Sequence, residues 1–126
     1  MILGIGTDIV DIDRLRRIHG RFGEKLLSKI LTSQEREYCL SHVDPYPHIG
    51  GRFAVKESVI KAVTSCLDKR LSMSDIEIFN WESGKPEVRF HNDALKVFSK
   101  INANIMVSIA HTGKYATATA ILETTK

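Results

Sequence analysis

The amino-acid sequence predicts a single α+β domain over residues 1–126, with a mostly antiparallel sheet and one long central helix. Three observations support this fold class. The length of 126 residues lies in the usual range of one domain. The predicted elements run strand, short helices, long helix, two strands, helix and two strands. Short turns at 82–85 and 112–114 join consecutive strands, which favours antiparallel pairing.

A first strand is predicted at residues 2–12, which read Ile-Leu-Gly-Ile-Gly-Thr-Asp-Ile-Val-Asp-Ile. The segment is apolar on both faces, a pattern typical of a strand in the middle of a sheet. Asp8 interrupts this pattern. A buried carboxylate is destabilised by on the order of several kcal/mol unless a partner compensates it. A salt bridge, backbone donors at a bulge near Gly4 and Gly6, or a metal ion could supply that partner.

Three short helices are expected between this strand and the long helix. Asp13 is a suitable N-cap for the first of them, and Gly20 and Gly23 interrupt the chain after it. Thr32 or Ser33 is expected to cap the third. The predicted helices span 14–19, 24–31 and about 33–41.

The longest helix is predicted from about His48 to Cys66, where nothing interrupts a 3.6-residue apolar pattern. Lys56 falls inside the apolar stripe of this helix, with Arg52 near its edge. A lysine in such a place can reach the surface along its aliphatic stem. The expected stripe consists of Ile49, Phe53, Val59, Ile60, Val63 and Leu67.

Glu57 and Lys61 lie four residues apart on the flank of this helix. An ion pair across one turn is the simplest interpretation and stabilises by about 0.2–0.5 kcal/mol. In a second interpretation, Arg52, Lys56 and Lys61 surround one carboxylate, as a phosphate site with a metal requires. Asp8 and Glu57 together would suit magnesium, which takes one or two protein carboxylates and completes its shell with water and substrate phosphates.

The rest of the chain is predicted to form two strand pairs separated by a helix that Asn92 caps. The predicted strands are 75–81, 86–90, 105–111 and 115–123, and the helix spans about 92–101. His111 closes the third of these strands. It is either a histidine at the edge of the core or a contact for a ligand phosphate or ribose. The turn Ser83-Gly84-Lys85-Pro86 is a weak phosphate signal by itself.

Composition and charge limit the functional classes. Hydrophobic residues make up 43% of the chain and charged residues 26%, as in an ordinary globular protein. The sequence shows no leader, no membrane-length apolar run and no CxxC spacing at Cys39 or Cys66, so we expect a cytoplasmic protein with no membrane partner. Between Arg14 and Arg36, seven basic and two acidic residues leave a local excess of +5. That segment is a solvated helix face or a surface for an acidic protein or nucleic acid.

Four motifs together resemble the phosphopantetheinyl transferases of the small holo-acyl-carrier-protein synthase type. Their order and spacing cover nearly the whole chain, whereas each motif alone is weak. The sequence departs from the commoner pattern at Ser58, where alanine is frequent, and at Ala110, where serine is frequent. The motifs are Gly4-Ile5-Gly6-Thr7-Asp8-Ile9-Val10-Asp11-Ile12, Arg52-Phe53-Ala54-Val55-Lys56-Glu57-Ser58-Val59-Ile60-Lys61-Ala62, Gly84-Lys85-Pro86 and Val107-Ser108-Ile109-Ala110-His111-Thr112.

The resemblance implies the phosphopantetheinyl transferase fold and transfer of 4′-phosphopantetheine from coenzyme A to a serine of an acyl carrier protein, in support of fatty acid biosynthesis. It implies that Asp8 and Glu57 hold magnesium, and that Lys61 acts with them in catalysis. Glu57, or a water beside it, would take the serine proton. Lys61 and Lys85 would contact phosphates, and the nucleotide would be bound by Arg52, Pro86, His111 and Thr112. Arg14 and Arg21 would dock the carrier protein. The resemblance also implies a homotrimer with shared sites.

Two other functional classes are open on the sequence. The basic segment would suit a nucleic-acid-binding module, although the chain lacks a helix-turn-helix or RNP pattern. A regulator that binds coenzyme A without transferring any part of it would also keep the pocket. Because Asp8, Glu57 and Lys61 are all present, we expect the enzyme and no nucleic-acid partner.

Overall fold

A computed structural model of the protein describes residues 1–67, 70–80 and 82–125. The order of its helices and strands confirms the predicted α+β class and the antiparallel pairing. The predicted strand end at Trp81 lies outside the described residues. The elements are β1 (Ile2–Asp11), α1 (Ile12–Phe22), α2 (Glu24–Ile30), α3 (Ser33–Leu40), α4 (Tyr46–Thr64), β2 (Ile76–Asn80), β3 (Pro86–Phe90), α5 (Asn92–Phe98), β4 (Ala103–His111) and β5 (Tyr115–Thr124), with a 3-10 turn at Met73–Asp75.

The strands form two antiparallel sheets. One sheet has the order β1-β5-β4, and β2 pairs with β3 in the other. β1 is therefore an edge strand, and the prediction that it lies in the middle of a sheet is wrong. The apolar pattern led to the wrong prediction because the two faces of β1 are apolar for different reasons. Val10 packs in the core, whereas Ile5 and Ile9 lie on the outer face of the sheet and are largely exposed.

β1 packs directly against α4 because it carries glycine at the two points of contact. A Cβ atom at Gly4 would lie 2.1 Å from the carbonyl oxygen of Ala62, and one at Gly6 would lie 1.9 Å from that of Ser58. No other residue type permits so close an approach. The strand that carries Asp8 is thus held at a fixed, short distance from the helix that carries Glu57 and Lys61.

Helix α4 is the centre of the molecule and is buried on most of its sides. It begins at Tyr46, two residues before the predicted start. Of the predicted stripe, four residues are buried, whereas Phe53 and Leu67 are partly buried. The hydroxyl of Ser58 lies 2.8 Å from the Ala54 carbonyl oxygen and 3.1 Å from that of Ala118, and so links α4 to β5. No helix in the described ranges is long and apolar enough to span a bilayer.

The helix ends differ from the predicted ones in several places. Asp11, not Asp13, caps α1, because its carboxylate accepts the amide N–H of Arg14 at 3.1 Å. Gly20 lies inside α1, which continues to Phe22 and ends at Gly23 with a φ of 58°. The expected cap of the third helix is confirmed at Thr32. The N-cap of α5 is His91, one residue before Asn92.

Candidate active site

Asp8 lies on the face of β1 that packs against α4, and its side chain is 18% exposed. Lys61 reaches it from α4, where its Nζ donates to the carbonyl oxygen of Thr7 at 2.9 Å and lies 3.4 Å from Asp8 Oδ1. Oδ2 of Asp8 is buried and has no hydrogen-bond partner among the described residues. The salt bridge therefore compensates only part of this carboxylate. A buried, unpartnered carboxylate oxygen is an atom that a bound cation would satisfy.

Glu57 lies on α4 one turn before Lys61, and so on the same side of the helix. Its Oε1 accepts a hydrogen bond from Nη2 of Arg70 at 2.8 Å. Arg70 follows the helix in a loop and carried no signal in the sequence. The two acidic side chains therefore have separate cationic partners, Lys61 for Asp8 and Arg70 for Glu57.

These carboxylates form a donor set that fits magnesium. Both are oxygen ligands, and one of them has an uncompensated buried oxygen. In the described ranges, no group of three or more His, Cys, Asp or Glu side chains is arranged to hold a metal. A site built from two carboxylates suits an ion that keeps several water or phosphate ligands, as magnesium does, better than a closed zinc site.

A cleft of about 270 Å³, here called the Arg52 cleft, lies on another side of α4. Arg52 is only 6% exposed, and its Nη2 donates to Asn80 Oδ1 at 2.6 Å. Its guanidinium carbon lies 4.5 Å from the centre of the Tyr38 ring, and its Nε is buried without a partner in the described structure. Pro86 and His111 line the same cleft. The cleft thus brings together three residues that the resemblance assigned to the nucleotide.

Two further histidines extend this cluster and were missed in the sequence. The rings of His42 and His48 stack with their centres 3.6 Å apart, and the ring centres of His48 and His111 are 6.0 Å apart. Burial lowers the pKa of His48, and the neighbouring His42, His111 and Arg52 lower it further. An anion bound beside His48 would favour its protonated form. His42 and His48 lie in a loop and a helix start, where periodicity gives no hint of such a contact.

The two groups of predicted site residues do not meet within one chain. Arg52 and Lys61 are nine residues apart on α4, which is about 180° around a helix. Lys85 is exposed and lines a separate groove between β3 and β4. Thr112 lies in the β4–β5 turn, where its Oγ1 accepts the amide N–H groups of Lys114 and Tyr115 at 3.1 Å.

Lys56 has neither of the roles considered from the sequence. Its side chain is 0% exposed, and its Nζ lies 2.5 Å from Oε1 of Glu35. The expectations that it reaches the surface, or that it surrounds Glu57 with other cations, are therefore wrong. Glu35 is itself buried on α3 and was not singled out in the sequence.

The basic first helix presents Arg14, Arg17 and Arg21 to solvent. Arg16 instead pairs with Asp44, with Nη2 and Oδ2 2.5 Å apart. A largely apolar groove of about 400 Å³ runs beside Arg14, and its walls include Leu15, Ile18, Leu26 and Phe53. This surface combines positive charge with exposed apolar area, as a docking surface for an acidic protein would.

Comparison with known proteins identifies the relatives of this chain. A family model described as the 4′-phosphopantetheinyl transferase superfamily matches residues 4–120. The holo-[acyl-carrier-protein] synthase of Thermodesulfovibrio yellowstonii is 40% identical over 122 residues, which are 97% of this chain and 99% of that protein. The protein of the same name from Escherichia coli O9:H4 is 41% identical over 123 residues, which are 97% and 98% of the two chains.

A solved structure supports the same assignment. The holo-(acyl-carrier-protein) synthase from Bacillus anthracis, crystallised in complex with CoA (3′,5′-ADP), matches with a TM-score of 0.79. The two proteins are 28% identical, and the match covers 99% of each chain. The chain therefore belongs to the 4′-phosphopantetheinyl transferase superfamily.

Proposed function

We propose that this protein is a holo-[acyl-carrier-protein] synthase. It transfers 4′-phosphopantetheine from coenzyme A to a serine of apo acyl carrier protein, which leaves adenosine 3′,5′-bisphosphate and supplies the holo carrier for fatty acid biosynthesis. The observation that carries this proposal is the buried Oδ2 of Asp8, which has no partner among the described residues and lies beside Lys61, one helical turn after Glu57. The relatives named holo-[acyl-carrier-protein] synthase match over nearly their whole length, which supports the same activity here.

In this proposal Asp8 and Glu57 would hold magnesium. The ion, when bound, would supply positive charge next to the diphosphate of coenzyme A. Lys61 is the half-exposed cation of the site, because its side chain is 51% exposed and its contact with Asp8 is long at 3.4 Å. It can turn from Asp8 toward a phosphate oxygen, which would replace its hydrogen bond to the Thr7 carbonyl oxygen and its weak contact with Asp8.

The transfer is an in-line displacement at phosphorus. The serine Oγ forms a bond to the β-phosphorus, and the bond from that phosphorus to the bridging oxygen of adenosine 3′,5′-bisphosphate breaks. The serine proton passes to Glu57 or to a water beside it. Positioning and charge stabilisation account for most of the acceleration in such a reaction, so the protein needs no covalent intermediate.

The Arg52 cleft would take the nucleotide part of the donor. Arg52 makes its lining cationic, and the buried Nε of Arg52 has no partner among the described residues. Pro86 shapes the wall, and Lys85 and Thr112 are proposed to contact the donor from the neighbouring turns. The exposed arginines Arg14 and Arg21 of α1 would dock the acidic carrier.

We further infer a homotrimer in which neighbouring chains complete each site. Two observations support it. Asp8 and Lys61 lie on the opposite side of α4 from Arg52 and its cleft, about 180° around the helix axis. One donor molecule would therefore need both sides of the helix. The outer face of the three-stranded sheet also exposes large apolar side chains, which a second copy would cover. They are Ile5, Ile9, Met106 and Tyr115.

The two cysteines support a reducing compartment, and we infer the cytoplasm. Cys39 and Cys66 are both free thiols, and burial raises the pKa of Cys39 to about 11, which keeps that thiol unreactive.

Intact mass spectrometry of an apo carrier protein tests the activity. After incubation with coenzyme A and magnesium, the carrier should gain the mass of one phosphopantetheine group. A carrier whose acceptor serine is replaced by alanine should gain nothing, and EDTA should prevent the gain with the normal carrier. Full modification of the carrier in EDTA, without added metal, would contradict the magnesium dependence but would still support the transferase activity.

Mixing two inactive variants tests the shared site. Asp8→Asn removes one half of the site and Arg52→Ala the other, so each homotrimer should be inactive. Co-refolded mixtures should regain part of the wild-type rate, because some interfaces then combine two intact halves. An inactive mixture, together with a monomer mass by light scattering, would contradict the proposed trimer.

A further inference from the structure

The buried ion pair of Lys56 and Glu35 is fully satisfied. The Nζ of Lys56 lies 2.5 Å from Glu35 Oε1, 2.5 Å from the carbonyl oxygen of Ile30 and 3.1 Å from that of Met73. Three acceptors match the three N–H groups of an ammonium, so Lys56 is charged and uses all its donors. Burial lowers the pKa of Lys56, and the adjacent carboxylate of Glu35 opposes that decrease.

Glu35 joins three elements through its two oxygens. Oε1 accepts from Lys56 on α4 and from the amide N–H of Thr32 at the start of α3. Oε2 accepts from the amide N–H of Ile78, in the middle of β2, at 2.9 Å. A single carboxylate therefore connects the central helix, the N-terminus of α3 and a backbone group of the β2–β3 hairpin.

This connection matters because the hairpin is a separate sheet. Within the described ranges no strand ladder ties β2 or β3 to the three-stranded sheet. Its position relative to α4 thus depends on side-chain contacts, and an isolated two-stranded hairpin is marginally stable. The apolar residues Ile76, Ile78 and Phe90 anchor it in the core, but apolar contacts are non-directional.

The hairpin also carries one wall of the Arg52 cleft. Asn80 lies two residues after Ile78 on β2 and accepts the hydrogen bond from Arg52, and Pro86 begins β3. The Glu35 contact at Ile78, through Lys56, and the Arg52 contact at Asn80 therefore connect β2 to α4 at two points that are two residues apart. Displacement of the first contact would change the width of the cleft.

We propose that Lys56 and Glu35 are positioning residues for donor binding, which set the β2–β3 hairpin at the distance from α4 that the Arg52 cleft requires. This inference rests on the proposed function, because it takes the cleft to be the site for the nucleotide of coenzyme A. Neither residue touches the donor. Their effect passes through the backbone of Ile78 to Asn80 and Pro86, so it falls on coenzyme A and leaves the carrier protein unaffected.

The test uses the double variant Lys56→Met/Glu35→Gln, which removes both charges together and keeps similar side-chain volumes. Leu122→Ala is the matched control, because it disrupts the core at the end of β5 away from His111. Calorimetry gives the Kd of coenzyme A, steady-state kinetics give KM for both substrates, and deuterium exchange reports the amides of residues 76–80 and 82–90. Thermal unfolding confirms that each variant is folded.

We expect the double variant to bind coenzyme A about tenfold more weakly, with KM for the carrier within about twofold of wild type. Exchange in the hairpin should be faster, especially at Ile78. Leu122→Ala should lower the unfolding temperature and leave the Kd within about twofold. Should the double variant not fold, Lys56→Gln/Glu35→Gln carries the same comparison, since it leaves no unpaired buried charge and keeps amide donors and acceptors at both positions.

Two other results would contradict different parts of the proposal. A folded double variant with wild-type affinity for coenzyme A and unchanged hairpin exchange would overturn the positioning role and leave the proposed function intact. Wild-type protein that neither binds coenzyme A nor modifies the carrier would overturn the proposed function and, with it, the role in donor binding. In that case hairpin exchange still decides whether the ion pair fixes the hairpin.

Discussion

Two lysine–carboxylate pairs lie on different sides of α4, and they differ in nearly every physical respect. Lys56 and Glu35 are 0% and 1% exposed, and both carboxylate oxygens of Glu35 have donors. Lys61 is half-exposed and Asp8 is partly buried, they are 3.4 Å apart, and one Asp8 oxygen has no partner among the described residues. The first pair is closed and has no capacity for a further ligand. The second is open, and its unsatisfied oxygen leaves an acceptor available to a ligand.

The sequence motif does not distinguish these two lysines, which are five residues apart in the same helix. Their surroundings suit them to different roles. A buried pair whose hydrogen bonds are all made can fix the orientation of neighbouring elements, whereas an exposed pair with a free acceptor is available to a ligand. Matched substitutions in the two pairs should therefore separate stability from activity.

The largest expected effect is on stability at the closed pair. Lys56→Met leaves the Glu35 carboxylate buried without its counter-charge, which should lower the free energy of unfolding by about 3–5 kcal/mol. Lys61→Met, at a half-exposed site, should lower it by less than about 1 kcal/mol. Urea unfolding with a common m-value measures both. Equal losses in the two variants would contradict the distinction between the pairs.

The next effect is on activity at the open pair. Asp8→Asn removes the charge that faces the proposed metal and should reduce the transfer rate at least about a hundredfold, equivalent to about 2.7 kcal/mol. Its stability should be equal to wild type or higher, because the substitution removes a largely buried charge whose Oδ2 has no partner among the described residues. Rates of carrier modification at saturating magnesium give the first quantity, and thermal unfolding gives the second. A rate within a few fold of wild type would exclude Asp8 from the site.

A smaller effect is expected far from both pairs, on the exposed face of α1. Arg14→Glu/Arg21→Glu should raise KM for the acidic carrier about tenfold and leave KM for coenzyme A within about twofold. Lys96→Glu on α5 is the control, because it makes the same kind of charge reversal at an exposed position on another element. An equal rise in both KM values for the α1 variant would show that this face does not dock the carrier.

The smallest effect concerns pH at Glu77, whose carboxylate lies beside the closed pair. Burial opposes its ionisation, but hydrogen bonds with Thr32 and His91 outweigh burial and hold the pKa of Glu77 below its ordinary value of 4.5. A lowered pKa in the folded state means that this contribution to stability is present above pH 4.5 and is lost as the pH falls below it. The difference in unfolding temperature between wild type and Glu77→Gln should therefore shrink between pH 7 and pH 4. A difference that grows toward acid pH would reverse the sign of this contribution.

Local patterns predicted much of the fold. The helical period of α4 and the alternation in β5 reflect contacts that each element makes along its own length, so they can be predicted from the sequence. The edge position of β1 could not be predicted, because its outer face is apolar like a buried face, although no other part of the described chain covers it. A Ser/Thr-x-x-Glu capping pattern at Thr32 and Glu35 was readable.

The partners of the site were harder to predict because they are distant in sequence. Glu35 lies 21 residues from Lys56, and nothing local indicates that the same carboxylate reaches across to α4. The histidine cluster likewise joins positions 42, 48 and 111, which meet only when β4 packs beside the start of α4. The roles of Asp8 and Glu57 stay predictions from the motif, which their placement on adjacent elements supports.

The ladder between β1 and β5 has a consequence for the rate of folding. Ile2 lies opposite Glu123, so the first of the described strands pairs with the last. Such non-local pairing slows folding, because a long loop must close before the contact forms. The apolar segment around Asp8 therefore has no strand partner until β5 has docked. Because β5 lies between β1 and β4, its deletion should prevent the three-stranded sheet from forming.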